Sequence, residues 1–413
     1  MSNIKFVPNI RFRKFEKRWK TEKLEELGNT FPSLSGKSKK DFGHGNAKYI
    51  TYMNVFTNPI ASMSGTEAIE IDKKQNSVKY GDVLFTMSSE TPEEVGMSSV
   101  WEYHAKNVYL NSFSFGFRPN SEFDLNFLAF LLRSQGVRRQ IVILAQGISR
   151  FNISKVKMMG INVTFPTNLF EQQKIGDFFS KLDKLLDLQQ QKIDKLELLK
   201  KALLQKLFPK HDAKIPELRF KGFEDVWRKH RLKEVSKIIG GGTPDTKNPK
   251  YWNGNINWFS PNEIGNSPYA VSSHKKITDL GLKKSSAKLH PAEKTILFTS
   301  RAGIGDMAIL TTPAATNQGF QSLELNNNVD SYFVYSYGFE IKKKADRLAS
   351  GSTFLEISKN EMEKITLMFP SEQEQQKIGN LLSKVDQLIE LENKKLQNLQ
   401  QVKKCLLQNM FVD

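Results

Sequence analysis

The sequence predicts a duplicated protein of the α/β (α+β) class, with two mixed domains in pseudo-repeat and two long helices that separate them. Three observations support this: a length of 413 residues, a repeat with a period of about two hundred residues, and two proline-free runs with helical spacing of apolar residues. A chain this long exceeds the usual size of one hydrophobic core. We expect domains at 1–168 and 211–371 and helices at 169–210 and 372–413.

The repeat is clearest at the ends of each copy. Phe-Pro at 165–166 and Glu-Gln-Gln-Lys-Ile-Gly at 171–176 recur at 369–370 and 374–379. At the front of each copy, Pro8, Arg11 and Trp19 correspond to Pro216, Arg219 and Trp227. The interiors mostly diverge, which favours one fold serving two different ligands. Simple duplication with drift is the alternative, although drift alone does not explain why the helices are spared.

Each long run has the heptad pattern of a coiled coil. Gln189 and Lys192 interrupt the first seam, and Glu392 and Lys395 interrupt the second. Antiparallel pairing would bring Lys192 opposite Glu392. The predicted seam residues are Ile175, Phe178, Leu182, Leu185, Leu196 and Leu199 in the first helix, and Ile378, Leu381, Val385, Leu388, Leu399 and Val402 in the second.

Apolar residues also flank the seam of the first helix, at Phe179, Leu186, Ile193 and Leu207. They widen the apolar stripe, so we expect surface for another protein. A helix of about 37 residues is roughly 55 Å long. That length suits a spacer between two major-groove sites roughly 34 Å apart.

Charge and cysteine content limit the class of protein. Lysine and arginine number 61 against 44 acidic residues, a net charge of +17, which attracts nucleic acid, anionic membranes or acidic proteins. Cys405 is the single cysteine, so a reducing cytoplasm is expected. No apolar leader or membrane span is visible. Binding to a membrane surface stays an alternative, but the apolar stripes of the basic helices are interrupted.

Motifs for catalysis are weak. The Asn/Asp-Pro-Pro-Tyr/Phe run of an adenine methyltransferase is absent, and the glycines at 42–45 predict a turn. Gly-Lys-Ser at 36–38 lacks the earlier glycine of a phosphate-binding loop, because Phe31 stands there. Pro-Asp-Thr-Lys at 244–247 has no identifiable carboxylate partner for a nuclease metal site.

Several segments resemble a known family over essentially the whole chain. They are the two helix starts, Gly-Gly-Thr-Pro at 241–244, the loop at 299–305 around Arg301, and Thr-Asn-Gln-Gly at 316–319. Together they resemble the specificity subunits of type I restriction-modification systems. The first half departs from the pattern, since Met-Ser-Ser-Glu-Thr at 87–91 stands where the arginine loop would be.

The resemblance implies a DNA-recognition subunit without catalytic activity. Each domain would be a target-recognition domain for one half of a split, asymmetric site in double-stranded DNA. The helices would set the spacing and dock two methyltransferase subunits, which use S-adenosylmethionine to methylate adenine. Restriction subunits, which are motor nucleases using ATP and magnesium, would join for cleavage in host defence. This chain would itself hold no cofactor and no metal.

Candidate DNA-binding residues lie in polar, basic or glycine-bearing loops, because Lys and Arg neutralise phosphates while Arg, Asn, Gln, Ser and Thr contact base edges. In the first domain they are Lys37, Lys39, Lys40, Arg138, Arg139, Gln146, Ser149, Arg150 and Asn152. In the second domain they are Thr243, Lys247, Asn248, Tyr251, Arg301, Asn317, Gln318, Ser352 and Thr353. Solvated surface positions are the alternative for each.

Local patterns predict strands at 82–85 and 295–299 and helices at 124–132 and 331–348. Trp252 and Trp258 are expected in the core. Two other functions stay open: a coiled-coil scaffold whose basic domains bind protein or RNA, and an enzyme that itself binds S-adenosylmethionine.

Overall fold

The computed structural model describes residues 6–210, 213–301, 303–351 and 355–412. The chain forms two compact units: the first runs to Gln190 and includes the chain from Lys394 onward, and the second is Gln191–Asn393. Each long helix therefore contributes residues to both units. Within the described ranges, no helix is both long and apolar enough to cross a bilayer.

The first unit contains a mixed β-structure followed by short helices and one long helix. Its strands are β1 (Lys20–Lys23), β2 (Gly28–Phe31), β3 (Phe42–Ile50), β4 (Thr66–Ile69), β5 (Val83–Thr86), β6 (Ser88–Ser89), β7 (Ser98–Val100), β8 (Val108–Leu110), β9 (Ser114–Pro119), β10 (Phe151–Asn152) and β11 (Asn162–Phe165). Its α-helices are α1 (Leu24–Leu27), α2 (Tyr52–Thr57), α3 (Leu125–Leu131), α4 (Gln135–Ile143), α5 (Lys155–Met159) and α6 (Leu169–Lys206), with 3₁₀ turns at Lys39–Asp41, Met63–Gly65 and Pro92–Glu94.

The second unit follows nearly the same order. Its strands are β12 (Arg228–Arg231), β13 (Ser236–Gly240), β14 (Trp252–Phe259), β15 (Tyr269–Ala270), β16 (Lys275–Ile277), β17 (Thr295–Phe298), β18 (Met307–Leu310), β19 (Ala314–Thr316), β20 (Gln321–Leu325) and β21 (Thr366–Phe369). Its α-helices are α7 (Leu232–Val235), α8 (Asp279–Lys283), α9 (Ser331–Ser336), α10 (Gly338–Leu348), α11 (Lys359–Lys364) and α12 (Glu372–Asn409), with 3₁₀ turns at Pro249–Tyr251 and Pro261–Glu263.

The sheets confirm the predicted repeat and the mixed fold class. The larger sheet has the order β2-β9-β5-β7 in the first unit and β13-β20-β17-β18-β15 in the second. A smaller sheet, β4-β3-β8 or β16-β14-β19, combines an antiparallel pair with a parallel pair in both units. The central strands β5 and β17 are buried along their whole length, so core residues cover both faces of the larger sheet in each unit.

The helix predicted over 331–348 is divided at Tyr337, which separates α9 from α10. The ring of Tyr337 is buried and lies 4.4 Å from the ring of Phe208. Gly338 follows it, and a Cβ atom there would lie 2.7 Å from the sulfur of Met307. Tertiary packing therefore bends a run that helical periodicity alone would leave continuous.

The repeated Glu-Gln-Gln-Lys-Ile-Gly motif fastens each long helix to the domain before it. Glu171 accepts two hydrogen bonds from the Arg11 guanidinium, at 2.7 and 2.8 Å, and one from Trp19 Nε1 at 3.2 Å. Glu374 accepts two hydrogen bonds from Arg219, both at 2.8 Å. Both carboxylates are buried. The matched arginines at the front of each repeat thus meet the matched glutamates at its end.

The first glutamine of the motif joins the helix to a neighbouring helix start. Gln172 Oε1 accepts from the backbone N–H of Asp124 at 3.0 Å, while its Nε2 donates to the carbonyl of Pro166 at 2.8 Å. Gln375 makes the same link to the backbone of Asp330 at 3.2 Å. These bonds satisfy buried polar groups where strand, loop and two helices meet.

The glycine of the motif permits a close approach. A side chain at Gly176 would collide with the Asp124 carboxylate, and one at Gly379 would collide with that of Asp330. Both aspartates cap the next helix through their side chains. The repeated sequence is therefore explained by packing inside each unit.

Within the first unit, α6 and α12 run antiparallel. The ring of Phe179 stacks on that of Phe411, with centroids 5.7 Å apart. One turn further along α6, Asp183 forms a salt bridge with Lys403, which precedes Phe411 by two turns. Residue numbers therefore increase in opposite directions along the two helices.

The second unit shows the same antiparallel direction. Lys192 Nζ lies 2.8 Å from Glu392 Oε1, so the predicted meeting of the polar centres is confirmed. Lys200 pairs with Asp386 at 2.6 Å. Glu392 is buried, and a buried carboxylate needs such a partner to offset its lost hydration.

The seam differs from the prediction in one of its two rows. The row beginning at Ile175 faces inward as predicted, but the second buried row contains Phe179 and Ile193. Leu185 and Leu199, predicted for that row, are 46% and 48% exposed. The second seam row of α6 thus lies one residue later than predicted.

The second helix departs in the same way. Ile378 and Val385 are buried as predicted, and Leu382 lies in the buried second row. Leu388 and Val402 are 38% and 49% exposed. Apolar residues flank both sides of the first row, so periodicity alone could not choose the buried side.

Candidate nucleic-acid interface

A short hairpin in the first unit holds polar residues in a defined loop. The backbone N–H groups of Gln146 and Asn152 donate to each other's carbonyl oxygens, at 2.9 and 2.8 Å. Between them, Ser149 and Arg150 are exposed. Gly147 has φ 138°, and a Cβ atom there would collide with the carbonyl oxygen of Arg150. Four of the predicted residues therefore share one closed hairpin.

The second unit builds the same hairpin. Ser350 and Glu356 exchange backbone hydrogen bonds at 3.1 and 3.0 Å, and Gly351 has φ 140°. The predicted contacts Ser352 and Thr353 fall between these two residues in the sequence and lie outside the described residues.

The hairpins identify equivalent loops beside them. Asn152 pairs with Ser88 across an antiparallel ladder. Glu356 makes the matching antiparallel bridge with Arg301. Ser88 therefore occupies in the first unit the position of Arg301 in the second. This confirms that the loop at 87–91 stands where the arginine loop lies in the second unit.

Other predicted residues of the second unit gather around Arg301. Gly319 lies against it, since a Cβ atom at Gly319 would be 3.6 Å from Arg301 Nε and 3.0 Å from Asn317 Oδ1. Asn317 Oδ1 accepts from the backbone N–H of Gly319 at 2.8 Å, and Gln318 Oε1 accepts from the Thr243 hydroxyl. The structure thus brings four predicted residues together: Thr243, Arg301, Asn317 and Gln318.

Three predicted residues lie in a separate turn. Asn248 Oδ1 accepts from the backbone N–H of Lys250 at 3.1 Å, which stabilises the 3₁₀ turn that ends at Tyr251. Lys247 is exposed. The oxygen of Asn248 therefore has a structural partner, while Lys247 presents its charge to solvent.

The two tryptophans differ in burial. Trp258 is buried and its Nε1 donates to the carbonyl of Gly242 at 2.9 Å, which confirms its core position. Trp252 is half-buried and packs edge-on against Trp258. Lys275 Nζ lies 5.7 Å from the centre of the Trp252 ring.

The lysines predicted in the first unit have different surroundings. Lys37 forms a salt bridge with Asp72 at 2.7 Å. The hydrogen bond from Lys37 lowers the pKa of the Asp72 carboxyl to about 2, and the same bond raises the pKa of Lys37. Lys39 and Lys40 are exposed in the 3₁₀ turn that follows.

The prediction for Arg138 requires correction. Its guanidinium donates to the backbone carbonyls of Glu93, Val95 and Gly96 at 2.6 to 2.8 Å. Burial lowers its pKa to about 10. Arg138 therefore ties α4 to the loop at 93–96, and this argues against a DNA contact. Arg139, its neighbour, is exposed.

A group of exposed lysines in the second unit is not among the predicted DNA contacts. Five exposed lysines lie on β16, α8 and the segment that follows: Lys275, Lys276, Lys283, Lys284 and Lys288. The sequence feature that could have identified this group is the two Lys-Lys pairs in it. Exposed cations in this number favour a polyanion near the small sheet.

The long helices also expose apolar side chains that their seam leaves uncovered. In the first unit these are Leu185, Leu188 and Val402, and in the second Leu198, Leu199, Leu388 and Leu391. Grouped apolar side chains on a helical surface are typical of protein-binding faces. No group of three metal-ligating side chains occurs in the described ranges.

Comparison with known proteins gives consistent results. The family profile described as type I restriction modification DNA specificity domain matches residues 16–198 and 224–401. The type I restriction enzyme MjaIX specificity subunit of Methanocaldococcus jannaschii is 38% identical over 45% of this chain and 44% of its own length. The putative MjaX specificity subunit of the same organism is 23% identical over 98% of this chain and 96% of its own.

A solved structure shares the fold. The crystal structure of a type I restriction-modification system S subunit from M. genitalium has a TM-score of 0.61 at 17% identity, covering 98% of this chain and 99% of that one. At this identity, the likeness supports the arrangement of elements alone.

Proposed function

Because the chain belongs to the family of type I restriction modification DNA specificity domains, we propose that it is the sequence-reading, non-catalytic subunit of a type I restriction-modification enzyme. Each unit would recognise one half of a split, asymmetric target in double-stranded DNA. Methylation and cleavage would belong to partner subunits, with S-adenosylmethionine in the methyltransferase and ATP with magnesium in the restriction subunit. A subunit that acts on cellular and incoming DNA works in the cytoplasm, where we place it.

One observation carries this proposal. The same frame of hairpin and adjacent loop is built in both units, but with different side chains at equivalent positions, such as Ser88 and Arg301. A constant frame with variable polar side chains suits two different base sequences, because base edges are distinguished by donors and acceptors.

The charge agrees with a polyanionic ligand. The net charge of +17 supplies attraction to DNA regardless of sequence, and exposed lysines such as Lys39, Lys247 and Lys283 would neutralise phosphates. Those contacts would set affinity, while the two loop-hairpin frames would set specificity.

The exposed apolar residues of the helices suit the docking of two methyltransferase subunits. Leu185 and Leu188 would contribute in the first unit, and Leu199 and Leu391 in the second. Two copies of one partner fit a chain that is itself an internal repeat.

The test is to co-express the chain with the type I modification subunit from its own genome and to map adenine methylation by long-read sequencing. We expect a split, asymmetric motif. Exchanging residues 211–371 for those of a related subunit should change only the second half of the motif. The modification subunit expressed alone is the control and should leave the DNA unmethylated.

A complex that forms but methylates nothing, and that binds RNA or protein in preference to duplex DNA, would contradict the proposal and favour a scaffold. S-adenosylmethionine binding by the isolated chain would contradict its non-catalytic role.

A further inference from the structure

A surface cavity of about 430 Å³ lies beside the hairpin of the first unit. Ser88, Ser89 and Glu90 line one side, and Ser149 and Arg150 of the hairpin line another. The cavity therefore opens among the loop and the hairpin that the proposed function assigns to base recognition.

Aromatic side chains form the wall of this cavity. The rings of Tyr52 and Phe56 stack with centroids 5.7 Å apart and planes at 18°. The Tyr52 hydroxyl donates to the carbonyl oxygen of Ser88 at 2.7 Å. This bond holds the loop against α2 and limits the positions that the next residues can take.

Two glutamates lie at the cavity, and their partners differ. Glu94 Oε2 accepts a hydrogen bond from the Thr91 hydroxyl at 2.9 Å, and Glu94 is partly buried. Glu90 is exposed and, within the described ranges, no side-chain hydrogen bond or salt bridge occupies its carboxylate. The carboxylate of Glu90 is thus available to accept hydrogen bonds from a ligand.

The loop and the hairpin carry opposite charges in the two units, although the charged residues do not stand at equivalent positions. In the second unit the loop has a cation, Arg301, and the facing hairpin strand has an anion, Glu356. In the first unit the loop has an anion, Glu90, two residues after the equivalent of Arg301, and the hairpin has a cation, Arg150. The equivalent loops of the two units therefore present charges of opposite sign.

Opposite charges select opposite base edges in the major groove. Guanine presents two acceptors, O6 and N7, which suit arginine, whereas adenine N6 and cytosine N4 are amino donors that suit a carboxylate. A carboxylate near DNA also repels phosphates, and a neighbouring cation offsets that repulsion.

We propose that Glu90 determines specificity in the first half of the target by accepting a hydrogen bond from the exocyclic amino group of an adenine or a cytosine. Arg150 lies at the rim of the same cavity and neutralises the adjacent phosphate. The inference rests on the proposed function and adds to it the chemical class of one base in the first half-site.

The experiment uses the full-length chain, co-expressed with its modification subunit, and compares methylation motifs by long-read sequencing. The base pair at the position that Glu90→Ala relaxes shows whether the amino group belongs to adenine or to cytosine, because an A·T pair presents adenine N6 and a G·C pair presents cytosine N4. Glu90→Ala should reduce discrimination at one position of the first half by about 5-fold to 150-fold, the range for one good base contact. The second half of the motif should not change.

The matched control is Glu102→Ala, which removes an exposed glutamate from the same unit. It should leave the motif unchanged. Because Glu90 is exposed, we expect both variants to melt at the wild-type temperature.

An unchanged motif in Glu90→Ala, with or without uniformly tighter DNA binding, would overturn the inference and make Glu90 a surface charge. That result leaves a split wild-type motif intact, so the proposed function would still stand. Absence of a split motif with the wild-type chain would instead reject the proposed function.

Discussion

The salt bridge between Arg219 and Glu374 offers a direct test of how a long helix is fastened to its domain. Arg219→Ala removes both hydrogen bonds to the carboxylate and the bond from Arg219 Nη2 to the carbonyl of Asp225. The side chain of Glu374 is 1% exposed, so its charge would stay buried without its partner. The variant should therefore unfold more easily.

The size of the effect follows from burial. Removing one partner of a buried ion pair costs about 3 to 5 kcal/mol, because the other charge is left without compensation. The Arg219 side chain is itself 13% exposed, so water can enter the space that it leaves. We therefore expect the lower end, about 3 kcal/mol of lost unfolding free energy.

Urea unfolding, followed by circular dichroism, measures this loss, and hydrogen exchange with mass spectrometry assigns it to the first turns of α12. Arg228→Ala is the matched control, since Arg228 is an exposed arginine of the same unit. It should cost less than about 0.5 kcal/mol. The double variant R219M/E374M should recover much of the stability, because no charge is then buried alone.

A loss below about 1 kcal/mol in Arg219→Ala would refute the reasoning, since it would give the pair the value of an exposed one. A double variant as unstable as Arg219→Ala would refute it too, because the unpaired carboxylate would then not be the cause.

Three further predictions concern readout, helix pairing and pH. Arg301→Ala should relax one position of the second half-motif by about 5-fold to 150-fold in the methylation assay; equal weakening on all DNA would show a phosphate contact instead. Ile193→Ala should cost about 2 to 4 kcal/mol in urea unfolding because Ile193 is buried in the seam. Leu199→Ala should cost less than about 1 kcal/mol, because Leu199 is half-exposed. A larger loss from Leu199→Ala than from Ile193→Ala would favour the seam predicted from the sequence. Lys37 holds the pKa of Asp72 at about 2, below its ordinary value, so this stabilisation is complete above about pH 4 and is lost as the pH falls towards 2. Melting curves of wild type and Asp72→Asn should therefore differ at pH 7 and converge near pH 2, and a constant difference would contradict this.

The repeated motif has a consequence for the evolution of specificity. Glu171 and Glu374 bind arginines from their own units, and Gln172 and Gln375 bind backbone groups of theirs. The helix starts are thus held by contacts that do not involve the hairpins. Base-reading side chains can therefore change without disturbing the junction between domain and helix.

The candidate loops of the second unit carry clearer sequence signals than those of the first. Gln318 precedes Gly319, and Arg301 lies two residues before Gly303; glycine-bearing loops signal special backbone geometry. In the first unit, Ser88 has no such signal. The sequence predicted that 87–91 stands where the arginine loop lies, and the strand pairing of Ser88 with Asn152 confirms this position.

Arg138 shows why exposure could not be predicted from residue type. Its sequence neighbour Arg139 has the same charge and is exposed, whereas Arg138 points inward to three backbone carbonyls. One step along a helix turns a side chain by about 100°, so adjacent arginines face different surroundings. The loop at 93–96 supplies the acceptors, and only the fold brings it there.

The sequence by itself determined the duplication, the two long helices, their antiparallel pairing through Lys192 and Glu392, and the family to which the chain belongs. These depend on the periodicity of apolar residues, on charge and on repeated sequence motifs, which are local properties of the chain. The tertiary structure decided which flank of the Ile175 row is buried and that Arg138 binds backbone carbonyls of the loop at 93–96. Those choices depend on packing between segments far apart in sequence, where several local patterns fit equally well and only the shape of the core selects one.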